Sequence, residues 1–344
     1  MAHLADLHIG SVLHGLEPYP GAPEIDPYEA PYAALRAAAD RITAGGYDAV
    51  LIAGDVFDRR HADGRALAAF QEILGAFHEA GLPTVVVSGN HDAETPLPGK
   101  LLLPSSARWL AADAPESVLW PDLGITVHGQ SVGAPDETRD LAAGYPRPVP
   151  GTVNIGLVHT SLHGAWSRRT CAPTTLRTLR AAGYAHWALG HVHHRLAPAP
   201  DLSAAYAGNT HGRGPDEPGG RGFAELLFGA DGRIEVRDVH TAPVRYESLH
   251  LPHGAVTEAA VRAGFAAVPP PGPADAVVWT VHGPADPDLL HLARALACPR
   301  SLVRAATPAA AAVPTPRTPT GADAGTAPGT RVTPPPIGTG PPRT

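Results

Sequence analysis

Apolar runs recur along the first 240 residues, and most end in a short polar cluster. Asp48-Ala49-Val50-Leu51-Ile52-Ala53 and Pro83-Thr84-Val85-Val86-Val87-Ser88 are continuous rather than alternating, the pattern of strands buried on both faces. Val153–Val158 and Tyr184–Leu189 read as further strands, as does Ala205–Ala207. Between them lie helical patterns. An Ala-rich stretch from about Tyr28 to Ala44 stops at Gly45-Gly46. The segment Gly64–Ala80 puts Leu67, Phe70, Leu74 and Phe77 on one side. Thr174–Ala182 is a short helix. Residues 93–124 carry no clear period and are expected to be irregular, with Trp109 and Trp120 packing. Ile125-Thr126-Val127-His128 alternates like a half-exposed strand with a structural His128, and residues 133–151 form a loop. Alternating strands and helices predict an α/β fold, in which ligands gather beyond the carboxyl ends of the strands.

The ends of the chain differ from this middle. Few residues precede Asp6, so the first strand is expected to be short, and residues 11–30 form a Gly/Pro-containing loop. Phe223–Phe228 and Arg233–Val239 predict a hairpin around Gly229-Ala230-Asp231-Gly232. Beyond Tyr246 the pattern weakens and is broken by Pro269–Pro273, and after Thr307 only Ala, Pro, Thr and Gly dominate. We therefore expect a main domain over residues 1–245, a short capping-like region over 246–305 and a disordered tail over 306–344.

Composition narrows the classes. A net charge of −7 advertises no global basic field for nucleic acid, though metal ions and a local patch could still bind phosphodiesters. The two cysteines, Cys171 and Cys298, have no metal-like spacing and argue against a disulfide framework. Without a signal-like start or a membrane-length apolar run, a soluble cytoplasmic protein is expected. Nineteen histidines stand against a single lysine, Lys100.

The chemistry sits at the strand ends. Five strands deliver, in order, Asp6 and His8, then Asp55 and Asp58, then Asn90 and His91, then His159, then His191 and His193. Taken singly, each has a bland reading as a strand end, a helix cap or a turn. Together they predict a polynuclear metal site. Mixed carboxylate, imidazole and amide donors suit Mn, Fe or Zn better than Ca or Mg. Asp55, central among the strands, is the natural bridge between two ions, which can clamp a phosphate and activate the water between them for in-line attack. His91 need not be a ligand; it could steady the developing charge or protonate the leaving oxygen, with Asp58 orienting it.

The order of motifs is Asp-x-His, Gly-Asp-x-x-Asp, Gly-Asn-His-Asp, a lone His, then Gly-His-x-His, and it resembles the calcineurin-like metallophosphoesterases over about residues 3–195. The resemblance implies a two-sheet α/β/β/α sandwich with a small α+β capping appendage. It implies one metal held by Asp6, His8, Asp55 and His193, and a second held by Asp55, Asn90, His159 and His191. His91 matches the catalytic histidine and Asp58 its partner. His3–Gly10 and Gly208–Arg213 are similar to the bacterial DNA repair exonucleases of the SbcD/YhaO type, relatives of the nuclease subunit that works on double-strand breaks. That likeness implies manganese as the ion, DNA as substrate contacted near Asn209, His211 and Arg213, an SMC-like ATPase partner, and often a homodimer. The chain departs from that pattern at His211 and Gly214, where the family usually has Gln and His, and in its short cap. The first expectation is a Mn-dependent DNA exonuclease; the alternatives are a phosphodiesterase or phosphatase on a nucleotide-sized substrate, and a subunit that chiefly binds DNA ends or an ATPase.

Overall fold

In the computed structural model, the polar strand ends come together because two sheets lie face to face. The structure describes residues 1–59, 61–162, 169–229, 231–251, 257–268, 276–283 and 287–306. The expected tail beyond Ala306 and the Pro269–Pro273 break lie outside them. The chain divides into Met1–Ala311 and Ala312–Thr344, and every element below belongs to the first unit.

The first half of the chain runs β1 (Ala2–Leu4), α1 (Ala30–Ala44), β2 (Val50–Ala53), α2 (Gly64–Glu79), β3 (Thr84–Val87) and β4 (Ala107–Trp109). Then come β5 (Glu116–Trp120), β6 (Ile125–Gly129), β7 (Val153–His159), α3 (Leu176–Ala182), β8 (His186–Gly190) and β9 (Ala204–Tyr206). The hairpin β10 (Gly222–Phe228) and β11 (Ile234–His240) follows, and β12 (Val244–His250), α4 (Glu258–Ala266), β13 (Ala276–His282), α5 (Pro287–Leu296) and β14 (Ser301–Ala305) finish the described chain.

The first sheet has the order β11-β10-β1-β2-β3-β4, with β1 to β4 parallel and the hairpin antiparallel on the β1 side. The second has the order β5-β6-β7-β8-β9, parallel except for β5. Alternate strand residues point to opposite faces, and the cores follow that rule. Val50 and Ile52 join Leu35 and Ile42 of α1 and Phe70 and Phe77 of α2 in one outer layer. Leu51 and Ala53 turn the other way, onto Val127, Ile155, Leu157 and Ala188 of the second sheet. Leu179 of α3 covers that sheet's far face with Trp187, Leu189 and Tyr206. The layers are thus α/β/β/α. The last three strands form a separate parallel sheet, β12-β13-β14, alternating with α4 and α5. No helix among the described residues is long and apolar enough to cross a membrane.

Two expectations need correcting. Residues 93–124 are not wholly irregular: β4 pairs parallel to β3, and β5 pairs antiparallel to β6. Both are edge strands, and their alternation of polar and partly covered residues is too short to register as a period. The strand β6 is buried along its whole length rather than half exposed. Its polar side chains are matched by neighbours: Thr126 Oγ1 meets Thr152 Oγ1 at 2.8 Å, and His128 reaches Asn154 Oδ1 at 2.8 Å and Ser117 Oγ at 2.7 Å. Satisfied polar groups bury at little cost, and a pattern count cannot see the partners. His128, stacked on Tyr184, is structural, as expected.

Two further histidines, His3 of β1 and His186 of β8, are fully buried near one another. Burial, with a contribution at His3 from the nearby His186, pushes His3 down to about 3, and burial alone pushes His186 down to about 4. As pH falls below 6.5, the unfolded chain therefore takes up protons that the folded chain refuses. Each histidine then removes about 1.4 kcal/mol of stability per pH unit until its folded pKa is reached. The denaturant midpoint of the metal-free protein is expected to be highest above pH 6.5 and to fall steadily toward pH 4. A midpoint unchanged between pH 7 and 4.5 contradicts this burial.

Candidate metal centre

The loops that follow β1 and β2 run on side by side after the strands end. Asp6 N donates to Gly54 O at 2.9 Å, His8 N to Asp55 O at 2.9 Å, and Asp58 N to Ile9 O at 3.0 Å. Their backbone is strained where the candidate side chains sit. Asp6 (φ +49°), His8 (φ +42°), Asp55 (φ +49°) and His191 (φ +101°) are four of the five non-glycine residues with positive φ among those described. Each such residue costs on the order of 1–3 kcal/mol and persists only where its surroundings fix it.

The third loop is fixed by Asp92, whose carboxylate accepts from Val56 N (3.1 Å), Phe57 N (2.9 Å) and Gly89 N (2.9 Å). Burial, and next Asp55, raises that carboxyl to about 7 despite the three amides. The approach leaves no room at two glycines. A Cβ on Gly89 would lie 2.2 Å from Asp55 Oδ1, and one on Gly190 would lie 1.8 Å from Ala53 O. The glycine of each motif is a packing requirement of the two converging sheet edges.

These constraints press hydrogen-bond acceptors together. His159 Nδ1 donates to Ala53 O at 2.9 Å and His191 Nε2 donates to Arg169 O at 2.7 Å. The remaining ring nitrogens, His159 Nε2 and His191 Nδ1, face each other at 3.2 Å, and each lies 3.2 Å from Asn90 Oδ1. Asp55 Oδ2 lies 3.6 Å from His159 Nε2 and, on its other side, 3.7 Å from His8 Nε2. In a second cluster, His193 Nδ1 donates to Glu217 Oε1 at 2.6 Å, so its Nε2 faces His8 Nε2 at 3.1 Å and Asp6 Oδ1 at 3.9 Å. Asp6 is held from behind by the backbone N–H of His191, at 3.1 and 3.0 Å from its two oxygens.

Buried acceptors this close are costly unless a cation lies among them. The protonation pattern agrees. Burial holds His8 well below its usual range and brings His191 down to about 4, leaving both as the neutral rings that bind metals. For His159 burial works the same way, but Asp55 and Asp6 outweigh it and raise its proton affinity. A proton on His159 and a metal ion answer the same need, so they compete. Burial raises Asp6, whereas at Asp55 the effect of burial is overcome by His159 and His91 and the carboxyl lies below its ordinary value. The donor set fits divalent ions of the Mn, Fe and Zn class.

His91 stands at the edge of these clusters. Its backbone N–H donates to Asp55 Oδ1 at 2.8 Å, and its ring meets that of His8 edge-on at 4.6 Å between centroids. Asp58 Oδ2 is 3.9 Å from the Nδ1 atoms of both His91 and His8, too far for a direct hydrogen bond to either. Burial lowers the His91 pKa against the pull of Asp55 and Asp58.

Residues 1–195 match the family model for calcineurin-like phosphoesterases. The chain belongs to that family. Calcineurin-like phosphoesterases bind a dinuclear metal centre, and this structure brings clusters of His and Asp together. Among curated proteins, the uncharacterized metallophosphoesterase YhaO of Bacillus subtilis is 28% identical over 225 residues, 64% of this chain and 55% of that protein. The DNA double-strand break repair protein Mre11 of Nanoarchaeum equitans is 28% identical over 94 residues, 27% of this chain and 24% of that protein. The chain thus spans about half the length of the first relative and about a quarter of the second. The crystal structure of TT1561 from Thermus thermophilus aligns over 59% of this chain and 93% of that one, with a TM-score of 0.38 and 17% identity.

In this chain the segment after β9 is arranged around a residue that the motifs do not include. Glu217 is buried and accepts from His193 Nδ1, from Asn209 Nδ2 (2.7 Å), from Arg213 N (2.8 Å) and from Arg213 Nη2 (3.3 Å). Burial works to raise its carboxyl, but His193 and Arg213 hold it well below the usual range. Arg221 completes the cluster by donating to Asn209 Oδ1 at 2.9 Å and to the carbonyl of His193. Of the three residues expected to meet substrate, Asn209 is therefore engaged at both ends of its amide. His211 is buried with Nε2 2.9 Å from Ser11 Oγ. Arg213 alone of the three keeps a partly exposed side chain, with Nη2 3.1 Å from His193 Nδ1.

Carboxylates that orient a metal-binding histidine are worth about 10–100-fold in metal affinity. Glu217→Gln is expected to weaken Mn²⁺ binding by about that factor in isothermal titration with the fold intact; unchanged affinity would remove Glu217 from the centre.

Proposed function

We propose that the chain is a dinuclear-metal phosphodiesterase acting on DNA ends, a Mn-dependent exonuclease. The observation that carries this reading is the convergence of two acceptor clusters on the two sides of Asp55 Oδ2, with His91 and Arg213 beside them. Asp6, His8, Asp55 and His193 would hold one ion, and Asp55, Asn90, His159 and His191 the other. When bound, the ions would neutralise phosphate charge and lower the pKa of the attacking water.

The chain's own residues supply the rest. Arg213 offers a fixed donor to a phosphate oxygen at the rim. His91 offers a ring N–H to the phosphoryl oxygens or a proton to the leaving oxygen. Its main-chain bond to Asp55 fixes it relative to the ions. The fields of Arg59 and Arg213 both reach His91; Arg59 and Arg169 pair with Glu94, and Arg213 with Glu217. Likeness to the Nanoarchaeum DNA double-strand break repair protein supports DNA over a small phosphoester. The same reading brings an SMC-like ATPase partner and a cytoplasmic setting with it.

His91→Ala is expected to lower Mn-stimulated cleavage of linear duplex DNA and of bis-p-nitrophenyl phosphate by about 10²–10⁴-fold while Mn²⁺ still binds. Retained turnover would remove His91 from the chemistry. Wild-type protein that cleaves only the small ester would favour a nucleotide-sized substrate instead.

A further inference from the structure

Cys171 stands in the β7–α3 connection with no cysteine near it in sequence, yet it lies beside the candidate metal centre. Its Sγ and a ring nitrogen from each of His159 and His191 lie within 4.8 Å of one another, and all three residues are buried. Both histidines already use one ring nitrogen on a backbone carbonyl. The other two nitrogens are the ones that meet Asn90 Oδ1, so the sulfur stands beside a cluster of nitrogen and oxygen donors. The cysteine is held in place by its main chain: Ser161 N donates to Cys171 O at 2.8 Å, and Cys171 N donates to Ser161 Oγ at 2.9 Å.

We propose that Cys171 supplies a thiolate ligand to the ion held by Asp55, Asn90, His159 and His191, and so makes that position selective for thiophilic metals. The inference rests on the two-metal reading and sharpens it. A five-coordinate ion with bonds of about 2.0 Å to nitrogen and about 2.3 Å to sulfur keeps those donors about 3–3.5 Å apart. The sulfur therefore needs to move by little more than about an ångström. Coordination forms a metal–sulfur bond and releases the thiol proton to solvent. Thiolate favours zinc, iron or cobalt over manganese and magnesium. The position made by Asp6, His8, Asp55 and His193 has no sulfur among its residues, so the two ions would differ in kind, with manganese suited to that one and zinc or iron to the other.

Cobalt(II) tests this by absorption, without reference to catalysis. The full chain carrying Cys298→Ser, in which Cys171 is the remaining cysteine, is stripped with a chelator and titrated with Co²⁺. The expected result is visible d–d absorption together with a near-ultraviolet sulfur-to-cobalt charge-transfer band. Adding Cys171→Ser, or Cys171→Ala should the serine variant misfold, is expected to abolish the near-ultraviolet band and keep the d–d bands. Zinc affinity should fall by at least about tenfold, with manganese affinity changed far less. Cobalt bound with d–d bands and no charge-transfer band overturns the role of Cys171 and leaves the two-metal reading standing. No cobalt bound at all overturns both.

Discussion

Electrostatic crowding around Asp55 is the constraint on which the rest of the molecule turns. One carboxylate oxygen lies 3.6 Å from a ring nitrogen on one side and 3.7 Å from another on the other, in a buried setting where acceptors repel strongly. An arrangement like this is unfavourable for an isolated protein and favourable for one that binds cations. Protons fill the role in part, through the raised affinity of His159, and metal ions fill it fully.

The fold supplies the force that keeps the acceptors together. Two sheets share a layer of Leu51, Ala53, Val85 and Val87 against Ile155, Leu157 and Ala188. That burial brings the carboxyl ends of β2, β3, β7 and β8 to one place. Asp92 ties the second and third loops through three amides, and Gly89 and Gly190 admit contacts that a side chain would block. The strain at Asp6, His8, Asp55 and His191 is small beside what two sheets and their covering helices bury. Strain concentrated in those four residues aims their side chains inward, which a relaxed strand end would not do.

Much of this was legible in the sequence, for a physical reason. A buried parallel strand is a continuous apolar run, so β2, β3, β7 and β8 announce themselves, and the residues just past each run are those that reach the site. Where the physics is long-range, the sequence is silent. The edge strands β4 and β5 are too short and too polar to show a period. Glu217 sits in a Gly/Pro-rich loop with no pattern of its own, and only the fold shows that it serves His193, Asn209 and Arg213. Cys171 fails every spacing rule because its neighbours His159 and His191 arrive from other loops. The expectation that Asn209 and His211 face substrate came from likeness alone; both are buried, while Arg213 is partly exposed.

How many cations the Asp55 crowding calls in is the central question. The most direct measurement is the metal content of the chelator-stripped chain after equilibrium dialysis against Mn²⁺ and, separately, Zn²⁺, read by mass spectrometry of the metal, for wild type and Asp55→Ala. About two ions per chain are expected in the wild type, with weakened binding of both when Asp55 is removed. A wild-type chain that binds one ion or none, or an Asp55→Ala chain that still holds two at full affinity, would contradict this expectation.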